Sequence, residues 1–255
     1  MADKRKDTNE VVDSTKRRFI KNSGLTVGGL VLGGALGGLV SVNTGSKTNS
    51  EEVTGTPKAD SNPNAALMFF TPDQHQITEA AAERIYPEDD LGPGAKDLDV
   101  AIYIDHQLAS PWGGNDKAYM SGPFHKPEPT QGPQIKVLRK NLFLLGIKGL
   151  NDYSNKHYDS EFIELEGDDQ DDILKEFESG KVNLHPGVTS DHFFTMLRTL
   201  TIEGAYADPM YGGNKDMQGW KMRKFPGSYM SLTEEIQKDS FVELEPQSLK
   251  DHMGH

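Results

Sequence analysis

The sequence predicts an all-α protein: a single helical domain with long irregular loops, preceded by an export leader and a flexible linker. Apolar residues recur at helical spacing in several stretches of the 255-residue chain, and no stretch shows the apolar–polar alternation of a half-buried strand. Proline and glycine cluster between the helical stretches, which places the long loops there. A mean hydropathy of −0.61 indicates a domain with much polar surface.

The first helix has the clearest beginning. Thr71 is followed by Pro72 at the first helical position and by Gln74 three residues after the cap, which is the pattern of a capping box. This helix is expected to end before Pro87. Further helices are expected over about 98–108, over about 134–156, from the acidic residues 168–172 onward and over about 189–206, with irregular loops at 88–95 and 110–132.

Composition divides the chain into a twin-arginine-type signal or signal-anchor (1–46), a flexible linker (47–66), a helical domain (67–245) and a disordered tail (246–255). Residues 1–46 carry seven Lys or Arg and four Asp or Glu, whereas the remaining 20 basic and 35 acidic residues give the rest a charge of −15. An acidic body repels phosphate, which excludes nucleic acid as an expected partner.

The leader has the order of an export signal. Arg17, Arg18 and Phe19 precede an uncharged, glycine-rich apolar run at 25–42, and this arrangement resembles a twin-arginine signal, with Lys16 and Arg17 as an alternative register for the basic pair. The run is also long enough to remain as a membrane anchor. One face of it could pack against another membrane helix through Gly29, Gly33 and Gly37.

Several kinds of active site are excluded or poorly supported. The chain has no cysteine, which excludes thiolate metal sites, cysteine nucleophiles and covalently attached haem, and it lacks the nucleophile-elbow and phosphate-loop motifs. His185, Asp191 and His192 form only a weak candidate ligand cluster, and the acidic run 168–172 lacks the alternation and glycine of a calcium loop. We therefore predict no catalytic residue, no bound cofactor and no metal site in this chain; a self-standing metal-dependent enzyme remains an alternative.

The segment 203–227 is the densest in unusual residues. An Asp-Pro pair stops the preceding helix, a Gly-Gly-Asn triplet permits a tight reversal, and large amphipathic rings flank both. The rings either pin a long loop onto the helices or present a surface to a partner, since Tyr, Trp and Arg are typical interface anchors. The candidate partner-binding residues are Tyr206, Asp208, Tyr211, Gly212, Gly213, Asn214, Trp220 and Arg223.

Two separated motifs carry a family resemblance. The later one reads Asp-Pro-x-Tyr-Gly-Gly-Asn-x-Asp-x-x-Gly-Trp at 208–220 with Phe-Pro-Gly at 225–227; the earlier one comprises Ile85-Tyr86-Pro87, Gly92-Pro93-Gly94-Ala95 and Tyr103-Ile104-Asp105. Over about residues 67–230 the chain resembles the gluconate 2-dehydrogenase subunit 3 family.

The resemblance implies a non-catalytic accessory (gamma) subunit that assists folding, export and assembly of a large FAD-dependent sugar or sugar-acid dehydrogenase. The implied partners are that large subunit, which holds the FAD, a cytochrome c subunit and the twin-arginine translocase. The implied location is the outer face of the cytoplasmic membrane, with residues 25–42 either cleaved off or kept as an anchor. An extracytoplasmic small-ligand-binding module is a further alternative, suggested by the aromatic loops.

Overall fold

The computed structural model describes residues 65–125, 127–128, 130–132 and 134–253, and the part of the chain it describes is mostly helical. Its only sheet is a two-stranded hairpin of β1 (Asn183–His185) and β2 (Val188–Thr189). The all-α prediction is confirmed. The α-helices are α1 (Pro72–Ile85), α2 (Val100–Ala109), α3 (Arg139–Tyr158), α4 (Gly167–Glu178), α5 (Ser190–Tyr206) and α6 (Gln218–Arg223); 3-10 turns occur at Phe162–Glu164, Pro209–Tyr211, Lys215–Met217 and Leu249–His252.

Helix α5 lies at the centre and packs against α1, α2, α3 and α4. Three buried phenylalanines stack edge to face between these helices: the ring of Phe193 lies 5.2 Å from that of Phe143 and 6.1 Å from that of Phe177. The absence of a side chain at Gly146 of α3 permits this approach, because a Cβ there would overlap the ring of Phe193. The core is thus an aromatic cluster around α5.

The start of α1 is as predicted. The Thr71 side chain accepts a hydrogen bond from the Gln74 amide, and the Gln74 side chain accepts one from the Thr71 amide. Helix α3, in contrast, begins at Arg139, five residues later than expected. Its first amides bond to the preceding loop: Arg139 N–H donates to the side-chain oxygen of Asn115 at 2.8 Å, and Lys140 N–H donates to the carbonyl of Gly113 at 3.1 Å. The loop thereby sets the beginning of α3.

Two details depart from what the sequence pattern suggests. Ile202 is an apolar residue of α5 but is exposed, because the buried stripe runs through Phe193, Leu197, Leu200 and Gly204 and Ile202 falls outside that spacing. The short hairpin was also missed. Its strands are too short to show alternation, and its turn depends on Gly187, whose φ of +80° favours glycine.

The expected disordered tail is instead ordered as far as Met253. Ser248 is buried and begins a 3-10 turn with a capping box, since its amide donates to the carboxylate of Asp251 at 2.8 Å. The tail is held by Asp208, which the composition of residues 246–255 could not reveal. Within the described residues no helix is both long and apolar enough to cross a membrane.

Candidate functional site

The loop that follows α5 is organised by the carboxylate of Asp208. One oxygen accepts hydrogen bonds from the amide of Met210 at 3.0 Å and the hydroxyl of Ser248 at 2.6 Å. The other oxygen accepts from the amide of Leu249 at 2.7 Å. Asp208 therefore caps the 3-10 turn that stops α5 and also holds the C-terminal segment against the loop.

The Gly-Gly-Asn reversal fits closely against α2 and the end of α5. Gly212 has a φ of +108°, and a Cβ at this position would lie 3.0 Å from Nδ1 of His106; a Cβ at Gly213 would overlap the carbonyl of Gly204. Asn214 is fully buried. Its side-chain NH2 group donates to the carbonyl of Ala207 at 2.8 Å, and its side-chain oxygen accepts from the backbone amide of Gly219 at 2.8 Å. These residues shape the loop rather than contact solvent.

Trp220 anchors the second half of the loop. Its side chain is 6% exposed, and its indole N–H donates to the carbonyl of Tyr206 at 2.8 Å. Its ring meets that of Phe225 edge to face at 5.4 Å. A Cβ at Gly227 would lie 2.6 Å from the indole, so the Phe-Pro-Gly segment closes over the ring. The structure therefore places Trp220 in a packing role.

The two separated sequence motifs meet in space. The hydroxyls of Tyr86, at the end of α1, and Tyr206, at the end of α5, lie 2.9 Å apart. The Nε of Arg223 donates to the Tyr206 hydroxyl at 3.2 Å. The loop after α1 approaches α6 as well, because a Cβ at Gly92 would lie 2.7 Å from the sulfur of Met222. Segments 120 residues apart in the chain thus form one face.

The tyrosine pair titrates unequally. Burial, together with the hydrogen bond to Tyr206, raises the pKa of Tyr86 to about 12. Burial alone would raise the pKa of Tyr206 too, but hydrogen bonds with Tyr86 and Arg223 outweigh burial and lower it. The hydrogen bond from Arg223 to the Tyr206 oxygen thus both lowers the pKa of Tyr206 and ties the guanidinium to this face.

Glu83 fixes the loop that carries the earlier motif. Its carboxylate accepts hydrogen bonds from the amide of Glu88 at 2.9 Å and from the amide of Lys96 at 2.8 Å. Gly94 lies directly over this carboxylate, and a Cβ there would overlap it. The Gly-Pro-Gly-Ala sequence therefore lets the loop fold back onto α1.

Asp105 belongs to the last part of the earlier motif, Tyr103-Ile104-Asp105, and its contacts give that part a structural role. It is fully buried on α2, and its carboxylate accepts from the amides of Met68 at 2.6 Å, Phe69 at 3.0 Å and Phe70 at 2.6 Å. Three charge-assisted hydrogen bonds from consecutive amides hold the segment that leads into α1. We call residues 68–70 the entry segment.

The eight predicted partner-binding residues thus divide by exposure. Tyr211 and Arg223 are exposed, Tyr206 and Asp208 are half-buried, and the other four are buried. Tyr211 lies beside α2, at the opposite end of the loop from Arg223. Sequence reasoning missed two exposed apolar side chains in the segments that meet here, Leu91 (81% exposed) and Phe225. Their exposure could not be anticipated, because an apolar residue in a loop gives no signal of whether it points inward.

The weak metal candidates are not brought together as a cluster. His192 pairs with Asp191 at 3.4 Å, whereas the ring of His185 lies against the carbonyl of Pro186. Asp171 of the acidic run instead pairs with Arg84 of α1 through two contacts of 2.7 and 2.9 Å. In the described ranges no group of three or more His, Cys, Asp or Glu side chains could hold a metal ion. The predicted export residues Arg17, Arg18 and Phe19 lie outside the described residues.

Comparison with known proteins gives one match. The sequence matches the family described as gluconate 2-dehydrogenase subunit 3 over residues 72–227, a range that begins at α1 and ends at the glycine that closes over Trp220. Searches of curated proteins and of solved structures found no match. The family name denotes one subunit of a multi-subunit dehydrogenase, which implies other subunits. Since the match covers more than half of the chain and includes both converging motifs, the chain belongs to the gluconate 2-dehydrogenase subunit 3 family.

Proposed function

We propose that this chain is a non-catalytic accessory subunit that binds a large FAD-dependent sugar or sugar-acid dehydrogenase and assists its folding, export and assembly. The observation that carries the proposal is the family membership over residues 72–227. The FAD belongs to the large subunit, and a cytochrome c subunit completes the complex. The assembled enzyme works at the outer face of the cytoplasmic membrane.

The large subunit binds the face on which the two motifs meet. We define the docking face as the exposed side chains of Leu91, Arg223 and Phe225. They belong to segments that are in contact, since Gly92 packs on Met222, Arg223 bonds to Tyr206, and Phe225 stacks on Trp220. Apolar side chains around a positioned arginine, supported by a rigid loop, have the composition of an interface centre.

The first test is a pull-down of the tagged full chain from its native host, followed by absorbance spectroscopy of the eluate. We expect a large flavoprotein to co-purify. A chain that is recovered alone and colourless would contradict the subunit function and favour the small-ligand-binding alternative.

The docking face is tested with matched variants in the same pull-down. Leu91→Ser combined with Phe225→Ser should reduce the recovered flavoprotein at least about tenfold, since interface centres carry most of the binding free energy. Ile163→Ser is the control, because Ile163 is an exposed apolar residue of the 3-10 turn between α3 and α4, outside the residues that define the docking face. Equal recovery with the test and control variants would place the interface elsewhere, and Tyr211→Ala would then test the other end of the loop.

Export is tested separately. Replacing Arg17 and Arg18 with lysine should retain the chain, and the flavoprotein bound to it, in the cytoplasm. The paired arginines before an apolar run motivate this expectation. Unchanged export of the double variant would rule out the twin-arginine route while leaving the docking proposal intact.

A further inference from the structure

The connection between α2 and α3 combines exposed aromatic residues with basic ones. Trp112 is 38% exposed and Tyr119 is 86% exposed. Residues 110–140 carry five Lys or Arg and two Asp or Glu, in a chain with a net charge of −12. This stretch is therefore a positively charged region on an acidic protein.

The four basic residues of this region that the structure describes lack acidic partners among the described residues. Lys117, Lys136, Arg139 and Lys140 form no ion pair with any carboxylate that the structure describes, whereas lysines elsewhere, such as Lys175 and Lys224, do. Arg139 instead lies over the indole of Trp112 at 4.7 Å and donates to the Trp112 carbonyl at 3.0 Å. The guanidinium and the exposed indole thus form one unit.

The placement of Arg139 and Lys140 opposes the local electrostatics. Both lie in the first turn of α3, which contains no acidic residue, and the positive end of the helix dipole disfavours cations there. The first amides of α3 bond to Asn115 and Gly113, so this positive helix end lies against the loop that also carries Lys117. The positive charges of Arg139 and Lys140 add to that of the helix end, and a negatively charged ligand would offset the repulsion between them.

We propose that the surface formed by Trp112, Lys117, Tyr119, Lys136, Arg139 and Lys140, here the aromatic–basic surface, binds an anionic phospholipid bilayer. Trp and Tyr rings favour the headgroup region, where one part of the ring is apolar and the other hydrated. Lys and Arg are attracted to anionic headgroups within a Debye length. The proposal does not depend on the dehydrogenase partner.

The test uses tryptophan fluorescence of the full chain, because only two tryptophans are present and Trp220 is buried. Vesicles of equal parts phosphatidylcholine and phosphatidylglycerol should shift the emission to shorter wavelength. Phosphatidylcholine vesicles should not, and high salt should reverse the shift. Trp112→Phe should abolish it. Because the signal is local to Trp112, it distinguishes contact by this surface from attachment through the leader alone.

The charge contribution is tested by replacing Lys117 and Lys136 with glutamine. Each lysine near an anionic surface strengthens binding about fivefold, so loss of both should raise the lipid concentration at half-maximal shift roughly twenty-five-fold. Replacing both with arginine should preserve binding. The matched control replaces Lys148 and Lys156 with glutamine, farther along α3, and should have little effect.

Three results would overturn the proposal. One is an absence of any shift with anionic vesicles, and another is an equal effect of the test and control variants. The third is loss of flavoprotein recovery, with lipid binding unchanged, in the Lys117 and Lys136 double variant; this would show that the surface binds an acidic protein rather than a bilayer.

Discussion

Removal of the Asp105 carboxylate tests how the entry segment is held. Asp105 is fully buried, and its three acceptor contacts of 2.6 to 3.0 Å come from residues 68–70, some 35 positions earlier in the chain. Hydrogen bonds to a charged group contribute about 1.5–3 kcal/mol each, and a buried donor without an acceptor costs about 1–3 kcal/mol. The amide of Phe70 is buried and would pay this cost, whereas those of Met68 and Phe69 are partly accessible to water.

Asp105→Ala should therefore lower the free energy of unfolding by about 3–5 kcal/mol. Asp105→Asn keeps one acceptor but turns an N–H group toward a backbone N–H, so a loss of about 2–3 kcal/mol is expected. The assay is urea unfolding of the purified chain followed by far-ultraviolet circular dichroism. In thermal unfolding the alanine variant should melt roughly 6–20 °C lower.

The control is Asp152→Asn, which removes an exposed carboxylate paired with Lys148 on α3 and should change stability by less than about 0.5 kcal/mol. Amide hydrogen exchange tests the mechanism: exchange should accelerate at Met68, Phe69 and Phe70 more than within α1. A loss below about 1 kcal/mol for Asp105→Ala, or entry-segment amides that stay protected, would refute the argument that the carboxylate holds this segment.

Two further predictions concern packing and charge. Trp220→Ala should lower the free energy of unfolding by about 3–5 kcal/mol, whereas Tyr211→Ala, at an exposed ring, should change it by less than about 0.5 kcal/mol. Urea unfolding measures both variants. Similar losses would show that burial does not distinguish the roles of the two rings. The hydrogen bond from Arg84 lowers the pKa of Asp171, so this pair contributes stability above the ordinary carboxyl pKa and loses it as pH falls through the lowered one. Asp171→Asn should therefore cost up to about 1 kcal/mol at neutral pH and nothing in strong acid; a cost independent of pH would contradict the assignment.

The helices could be predicted because their signals are local. The capping box of α1 and the apolar spacing of α4 depend on residues within a few positions of each other. The start of α3 could not be predicted, because Asn115 caps it from 24 positions away. The order of the tail depends likewise on Asp208, 40 positions from Ser248. Errors arose where a distant residue supplies the hydrogen bond.

The sequence predicted which segment contains the candidate site, but not which surface that segment forms with the rest of the domain. Sequence reasoning found the loop 203–227 and the earlier motif separately, and it could not place Tyr86 against Tyr206 because nothing local links them. It also grouped buried and exposed residues together, because the identity of a tryptophan or asparagine in a loop does not show whether its side chain is buried. Burial separated Asn214 and Trp220 from Arg223.

The division between buried and exposed residues limits what family membership can say about which partner the chain binds. The motif residues by which the chain belongs to its family act largely inward: Asp105 holds the entry segment, Asp208 holds the tail, and Gly213 and Trp220 fit against α5. They specify a scaffold and bring two segments together, and substitutions there should alter stability first. Leu91, at 81% exposed, lies outside this set of internal contacts, whereas Phe225 both packs on Trp220 and remains exposed. On the proposed docking face, recognition of a particular partner would therefore depend on exposed residues that can change without loss of the fold.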